Sequence, residues 1–145
     1  MDAFRILPMT QTKSLPQQGL VIFAKDKDLV SDFYQKALGL QIQESEKTHD
    51  LLVSQCHEVV VHAISKAYAK SIEISSPPAP REETPLKPTF VVADLEVVRA
   101  AAKATGGHLK PLKQAWRFRG LIVLDGWDPE GNIVQFKMID PAASK

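Results

Sequence analysis

Two polar side chains stand where chemistry would use them, each inside a strand-like apolar run. His62 lies in EVVVHAI (58–64) and Gln135 in NIVQFKMI (132–139). An imidazole in such a run is either a core histidine satisfied by a neighbour or a hydrogen-bonding, acid–base group offered to a pocket. A glutamine there must find partners if it is buried. It reads as a donor and acceptor in a pocket, or as a residue on a solvated face. His57 lies five residues before His62, an odd separation on a strand, so the two rings face opposite ways and form no chelating pair. His49 and His108 read as loop or strand-edge residues. Cys56 adjoins His57, but no third group orients the pair, so catalysis is not expected there. Arg81, Glu82 and Glu83 read as a solvated loop. No nucleophile elbow, phosphate-binding loop or dinucleotide fingerprint occurs.

Aromatic residues bracket the second of these runs. In QAWRFRG, Trp116 and Phe118 share one face of an extended segment and Arg117 and Arg119 the other. Trp127 follows LIVL and opens the turn DPEGN, whose Pro129 and Gly131 are turn determinants. Such residues suit either a pocket that binds flat or apolar molecules, or ordinary packing.

The elements that must position these residues follow a repeated order. GLVIFA (19–24) is a buried strand. Asp26 or Asp28 caps a helix whose apolar stripe is Val30, Phe33, Tyr34, Ala37 and Leu38, and Gly39 closes it. Strands are expected over 40–45, 50–55 and 58–64, with one more segment over 71–75. Residues 76–88, SPPAPREETPLKP, are a proline-rich connection. The order then restarts: a strand over 89–93, an Asp94-capped helix closed by Gly107, and strands near GGHLKPL, over 121–126 and over 132–139. Asp to closing Gly spans 13 residues both times. Two copies of a β-α-β-β-β module fit this order, module one over 19–75 and module two over 89–140. Parity on the two first strands points Val21, Phe23, Phe90 and Val92 to one face, with Phe23 opposite Phe90.

The 145-residue chain has the length of one domain, is 44 % hydrophobic and 24 % charged, and carries a net charge of +1. That balance argues against a nucleic-acid partner. A lone cysteine excludes an internal disulfide and a zinc knuckle. No run approaches the ~20 apolar residues of a membrane span. Residues 1–17 do not read as a signal peptide. They read as a loosely held or disordered arm of a cytoplasmic protein.

Three stretches resemble the vicinal oxygen chelate superfamily of glyoxalases, bleomycin-resistance proteins and extradiol dioxygenases. They are DLVSDFYQKALGL (28–40), KPTFVVADLEVVRAAAKATGG (87–107) and DGWDPEGNIVQF (125–136). The resemblance implies an α+β fold in which two β-α-β-β-β modules form a cupped mixed sheet with the helices outside. It also implies, in metal-dependent members, one ligand on the first and one on the last strand of each module. Here the opening positions fall at Gly19, with Gln18 beside it, and at Pro88, between Lys87 and Thr89. The closing positions fall at His62 and Gln135. One good ligand and one amide hold a divalent ion poorly. The expectation is therefore a homodimer that binds a small aromatic or apolar molecule in a metal-free pocket lined by Phe23, His62, Phe90, Trp116 and Gln135. The alternatives are a metal-dependent lyase or isomerase with an atypical set around His62 and Gln135, perhaps with Glu73 and Gln18, and a metal-free enzyme using His62 as acid or base.

Overall fold

The computed structural model describes residues 17–144, so the expected N-terminal arm lies, but for Gln17, outside the described residues. The elements run β1 (Gln18–Ala24), α1 (Lys27–Leu38), β2 (Gln41–Ser45), β3 (His49–Val53), β4 (His57–Ala63), α2 (Lys66–Ala69), β5 (Thr89–Val91), α3 (Leu95–Thr105), β6 (His108–Leu109), β7 (Trp116–Phe118), β8 (Leu121–Trp127) and β9 (Ile133–Ile139). The first sheet has the order β1-β4-β3-β2, with β1 parallel to β4 and the other pairs antiparallel. The second has the order β5-β9-β8-β6, with β5 parallel to β9 and β7 also paired to β8. Each sheet thus places the first strand of its module at an edge, beside the last.

The helices start and stop as their ends dictate. The Asp26 carboxylate accepts the Leu29 N–H and that of Asp94 accepts the Glu96 N–H. Gly39 closes α1 in the left-handed region. The second closure differs from expectation. Gly106, at φ 94°, ends α3, and Gly107 has another task. A Cβ on Gly107 would lie 2.7 Å from the Trp127 carbonyl oxygen and 3.0 Å from the Phe33 ring, so this glycine permits close packing between α1 and the second sheet.

The apolar stripes of both helices meet one face of both sheets. Val30, Phe33 and Ala37 of α1 join Leu95, Val98, Ala101 and Ala102 of α3 in a single core with Val59, Val61, Leu124, Val134 and Phe136 of the strands. Phe33 packs edge-on against Phe136 with ring centres 6.5 Å apart. The segment 71–75 is not a strand. The Ser71 and Ile72 N–H groups bond back to Tyr68 and Ala69 carbonyls as the end of α2 unwinds, and among the described residues no neighbouring strand pairs with it.

The DPEGN turn fastens the second module to the first. Asp128 is fully buried. Its carboxylate accepts the Tyr34 hydroxyl at 2.9 Å, the Asn132 amide at 2.8 Å, and the backbone N–H groups of Glu130 and Asn132 at 2.9 and 3.1 Å. Burial pushes this carboxyl above the usual range, and the donors from Asn132, Glu130 and Tyr34 only partly offset it. Burial likewise raises the Tyr34 phenol well above its ordinary value, with the nearby Asp128 charge adding to the effect. Glu130, also buried, takes the Lys25 N–H at 2.9 Å and the Asp26 N–H at 2.6 Å, one on each oxygen. The turn therefore satisfies the chain just where it enters α1, on the far side of the sequence.

Candidate functional site

With the helices on one face of the sheets, the opposite face is open. Strand parity and register decide which side chains reach it. On β1, Ile22 and Ala24 are buried against the helices, whereas Val21 and Phe23 are 54 % and 62 % exposed. Phe23 is paired in register with His62, and their ring centres are 5.7 Å apart. Two of the residues expected to line the pocket are thus neighbours on this face. His57 points the other way, as its odd separation from His62 requires, and touches Phe90 edge-on at 5.3 Å.

His62 has a defined tautomer. Its Nδ1 lies 2.9 Å from the Ala63 carbonyl oxygen. A carbonyl only accepts, so the proton sits on Nδ1 and Nε2 of the neutral ring carries a lone pair. Among the described residues Nε2 has no hydrogen-bond partner. Of the two readings of His49, loop and strand edge, the second holds: it begins β3, pairs with His62 in register, and stacks on it at 6.3 Å and 20°. Its place beside His62 was not expected from the sequence. Glu44 Oε2 lies 2.6 Å from His49 Nε2, and the Thr48 hydroxyl lies 3.0 Å from Nδ1. The signal was the register of the β3–β4 pair, which the sequence alone does not fix. A register shift between Ile42 and Glu44 places Glu44 beside this group.

The second sheet contributes a polar ladder and an aromatic edge. Gln135 Oε1 accepts the Thr89 hydroxyl at 3.3 Å, and its Nε2 donates to Asp125 Oδ1 at 3.3 Å. The other oxygen of Asp125 takes Lys87 Nζ at 2.9 Å. Gln135 is thus held by neighbours on both sides. Trp116 pairs with Val123, which pairs in turn with Lys137. Trp116 and Phe118 therefore share the open face with Gln135 and are 44 % and 50 % exposed. The Arg119 guanidinium lies over the Phe118 ring at 5.1 Å.

Phe90 is the correction. It is 7 % exposed and belongs to the core beneath the sheets, in register with Phe136. Val92 likewise packs against that core. The reason is parity counted from the helix caps. Phe23 precedes its cap, Asp26, by three residues, and Phe90 precedes Asp94 by four, so the two phenylalanines face opposite ways. Thr89 and Val91 take the open face instead. Phe90 retains only an edge on a groove of about 340 Å³ between the two first strands, lined also by Gly19, His57 and Thr89.

The same count tests the metal positions. Gln135 is in register with Thr89, five residues before its cap, and the matching pair in module one is Val21 and Val60. His62 is in register with Phe23, and its counterpart pair is Val91 and Lys137. The level of Gly19 supplies Glu58. Each of the first two levels thus brings one imidazole or amide, not the three or four donors a divalent ion needs. His62 and Gln135 do not lie at one level. Among the described residues, no group of three or more His, Cys, Asp or Glu side chains could hold a metal ion. The residues present do not fit the ligand set that the fold would call for.

No protein-family model and no curated protein matches the sequence. Solved structures do match. A glyoxalase/bleomycin resistance protein/dioxygenase family enzyme from Burkholderia phytofirmans PsJN aligns over 83 % of this chain and 96 % of its own, with a TM-score of 0.59 and 21 % identity. The chain has the vicinal oxygen chelate fold. A glyoxalase/bleomycin resistance protein from Albidiferax ferrireducens T118 covers the same shares at a TM-score of 0.57 and 18 % identity. The fosfomycin resistance protein FosX from Mesorhizobium loti aligns over 88 % of this chain and 94 % of its own, at 0.57 and 9 % identity. At such identities the likeness is one of fold, and one fold hosts many activities. Among the described residues, no helix is long and apolar enough to cross a membrane.

Proposed function

We propose that the chain binds a small aromatic or apolar molecule on the open face of its sheets, without a metal ion. The observation that carries this is the composition of that face. Phe23, Val21, Val91, Trp116 and Phe118 are each 44–62 % exposed there, an unusual outlay of large apolar surface. Polar groups beside it pair with one another, as His49 does with Glu44 and Lys87 with Asp125. His62 offers an acceptor at Nε2, and Gln135 sits in its ladder between Thr89 and Asp125. A face of this kind holds a ligand by contact area and orients it by one or two hydrogen bonds. A second copy of the chain covers the face and completes the site, giving the symmetric dimer that closed assemblies favour. The resistance and glyoxalase proteins of the same fold support the reading as a small-molecule site.

The test is a thermal-shift screen of small aromatic molecules, with hits titrated against Phe23→Ala, Trp116→Ala and Gln135→Leu. Loss of an aromatic wall or of the oriented amide is expected to weaken a hit by roughly tenfold, the equivalent of about 1.4 kcal/mol, with the unfolding midpoint little changed. Hits that bind all three variants as tightly as the wild type would remove the open face as the site. Sedimentation that gives a monomer at micromolar concentration would remove the dimer.

A further inference from the structure

The connection between the modules builds a pocket that the reading above does not use. Residues 80–87 arch over one end of the second sheet, and both feet of the arch are tied down. At one foot the Arg81 N–H donates to the Gly131 carbonyl at 2.8 Å and the Trp127 indole N–H to the Pro78 carbonyl at 3.2 Å. At the other, Lys87 Nζ meets Asp125 Oδ2 at 2.9 Å and the Gln135 N–H donates to the Pro88 carbonyl at 2.8 Å. The Thr84 hydroxyl donates to the Arg81 carbonyl at 3.1 Å and stiffens the span. Gly131 makes the first tie possible: its φ is +86°, and a Cβ there would lie 2.2 Å from the Ala79 carbonyl oxygen. Beneath the arch is a cavity of about 320 Å³, lined among others by Arg81, Glu82, Lys87, Lys110, Asp125 and Trp127.

The charges in this cavity do not cancel. Lys87 and Asp125 neutralise each other. Arg81 and Lys110 make no ion pair among the described residues, and Glu82 is the one acid left to set against them. The excess is one positive charge. The Trp127 ring supplies a flat apolar wall, backed by His108 at 4.5 Å. Its N–H is spent on Pro78, so it offers a ligand its ring and not a donor. The volume is at the small end of ligand sites. We propose that this pocket is a second binding site, for a small planar monocarboxylate whose ring lies against Trp127 and whose carboxylate is taken by Arg81 and Lys110.

The test uses the full chain, benzoate as probe and its neutral counterpart benzamide as control. The two indole N–H resonances, assigned with Trp116→Phe, read the two sites separately: Trp127 the arch, Trp116 the open face. Benzoate is expected to shift the Trp127 resonance along a saturable curve, and benzamide to bind several-fold more weakly. Lys110→Gln and Arg81→Gln should each weaken benzoate by about tenfold, as befits a lost charge-assisted contact, and leave benzamide unchanged. The Trp116 resonance reports the open face, so failure there and failure at the arch are read separately. No saturable shift at Trp127, equal binding of acid and amide, or unchanged benzoate affinity in both variants would overturn the proposal.

Discussion

Replacing Tyr34 by Phe removes one O–H donor from a buried carboxylate and nothing else. Tyr34 is 1 % exposed and Asp128 fully buried, so solvent cannot fill in without opening the core. A hydrogen bond to a charged partner in such a place contributes about 1.5–3 kcal/mol. In a chain of this length that lowers the thermal midpoint by roughly 3–10 °C. Asp128→Ala leaves four donors without their acceptor: the phenol, the Asn132 amide and two backbone N–H groups. Its expected cost is larger, about 3–5 kcal/mol. The two residues touch each other, so the double variant should be less destabilised than the sum by about 1–2 kcal/mol. Urea unfolding followed by the fluorescence of Trp116 and Trp127 reads both effects. Tyr34→Phe within 0.5 kcal/mol of the wild type, or strictly additive losses, would show that the turn does not fasten the modules as described. The pH dependence has a definite sign. The carboxyl of Asp128 is raised in the folded chain, so folding favours its protonated form and ionisation opposes folding. This contribution is complete below the ordinary carboxylate range and is lost as pH rises through the raised value. The stability of Asp128→Asn relative to wild type should therefore improve over that window; a pH-independent difference would refute the assignment.

Other consequences are simpler to state. Phe90→Ala should cost about 3–4 kcal/mol, because the ring belongs to the core and not to the open face; a midpoint near that of wild type would contradict that placement. Phe23→Ala, at a 62 % exposed position, should change stability by no more than about 0.5 kcal/mol. At Asp50 burial opposes ionisation, but Lys27, Ser31 and Ser45 outweigh it and hold the carboxyl below its usual range. Its contribution is therefore present above the ordinary carboxylate value and is lost as pH falls through the depressed one. Asp50→Asn should flatten the acid limb of the stability–pH curve, and an unchanged limb would count against this network.

Much of the fold could be read because its signals are local. The caps at Asp26 and Asp94, the stripe of α1 and the opposite facing of His57 and His62 each depend on a few adjacent residues. Where reading failed, a single count or a distant partner decided. One residue of offset before Asp94 turned Phe90 from the open face to the core. Residues 71–75 have the alternation of a strand but, among the described residues, no strand to pair with. His49 joined His62 only once the β3–β4 register existed. The turn DPEGN was visible as a turn, but Asp128 and Glu130 meet partners 94 to 105 positions away. No local pattern shows that two acids in a turn point inward.

The central claim is that the open face holds a small organic ligand and no metal. Native mass spectrometry of protein purified without chelator tests it most directly. The account predicts a dimer that carries a small organic adduct, displaceable by added aromatic ligand, and no stoichiometric divalent ion. One equivalent of zinc, nickel, manganese or iron per chain, lost on replacing His62 by Ala, would contradict it.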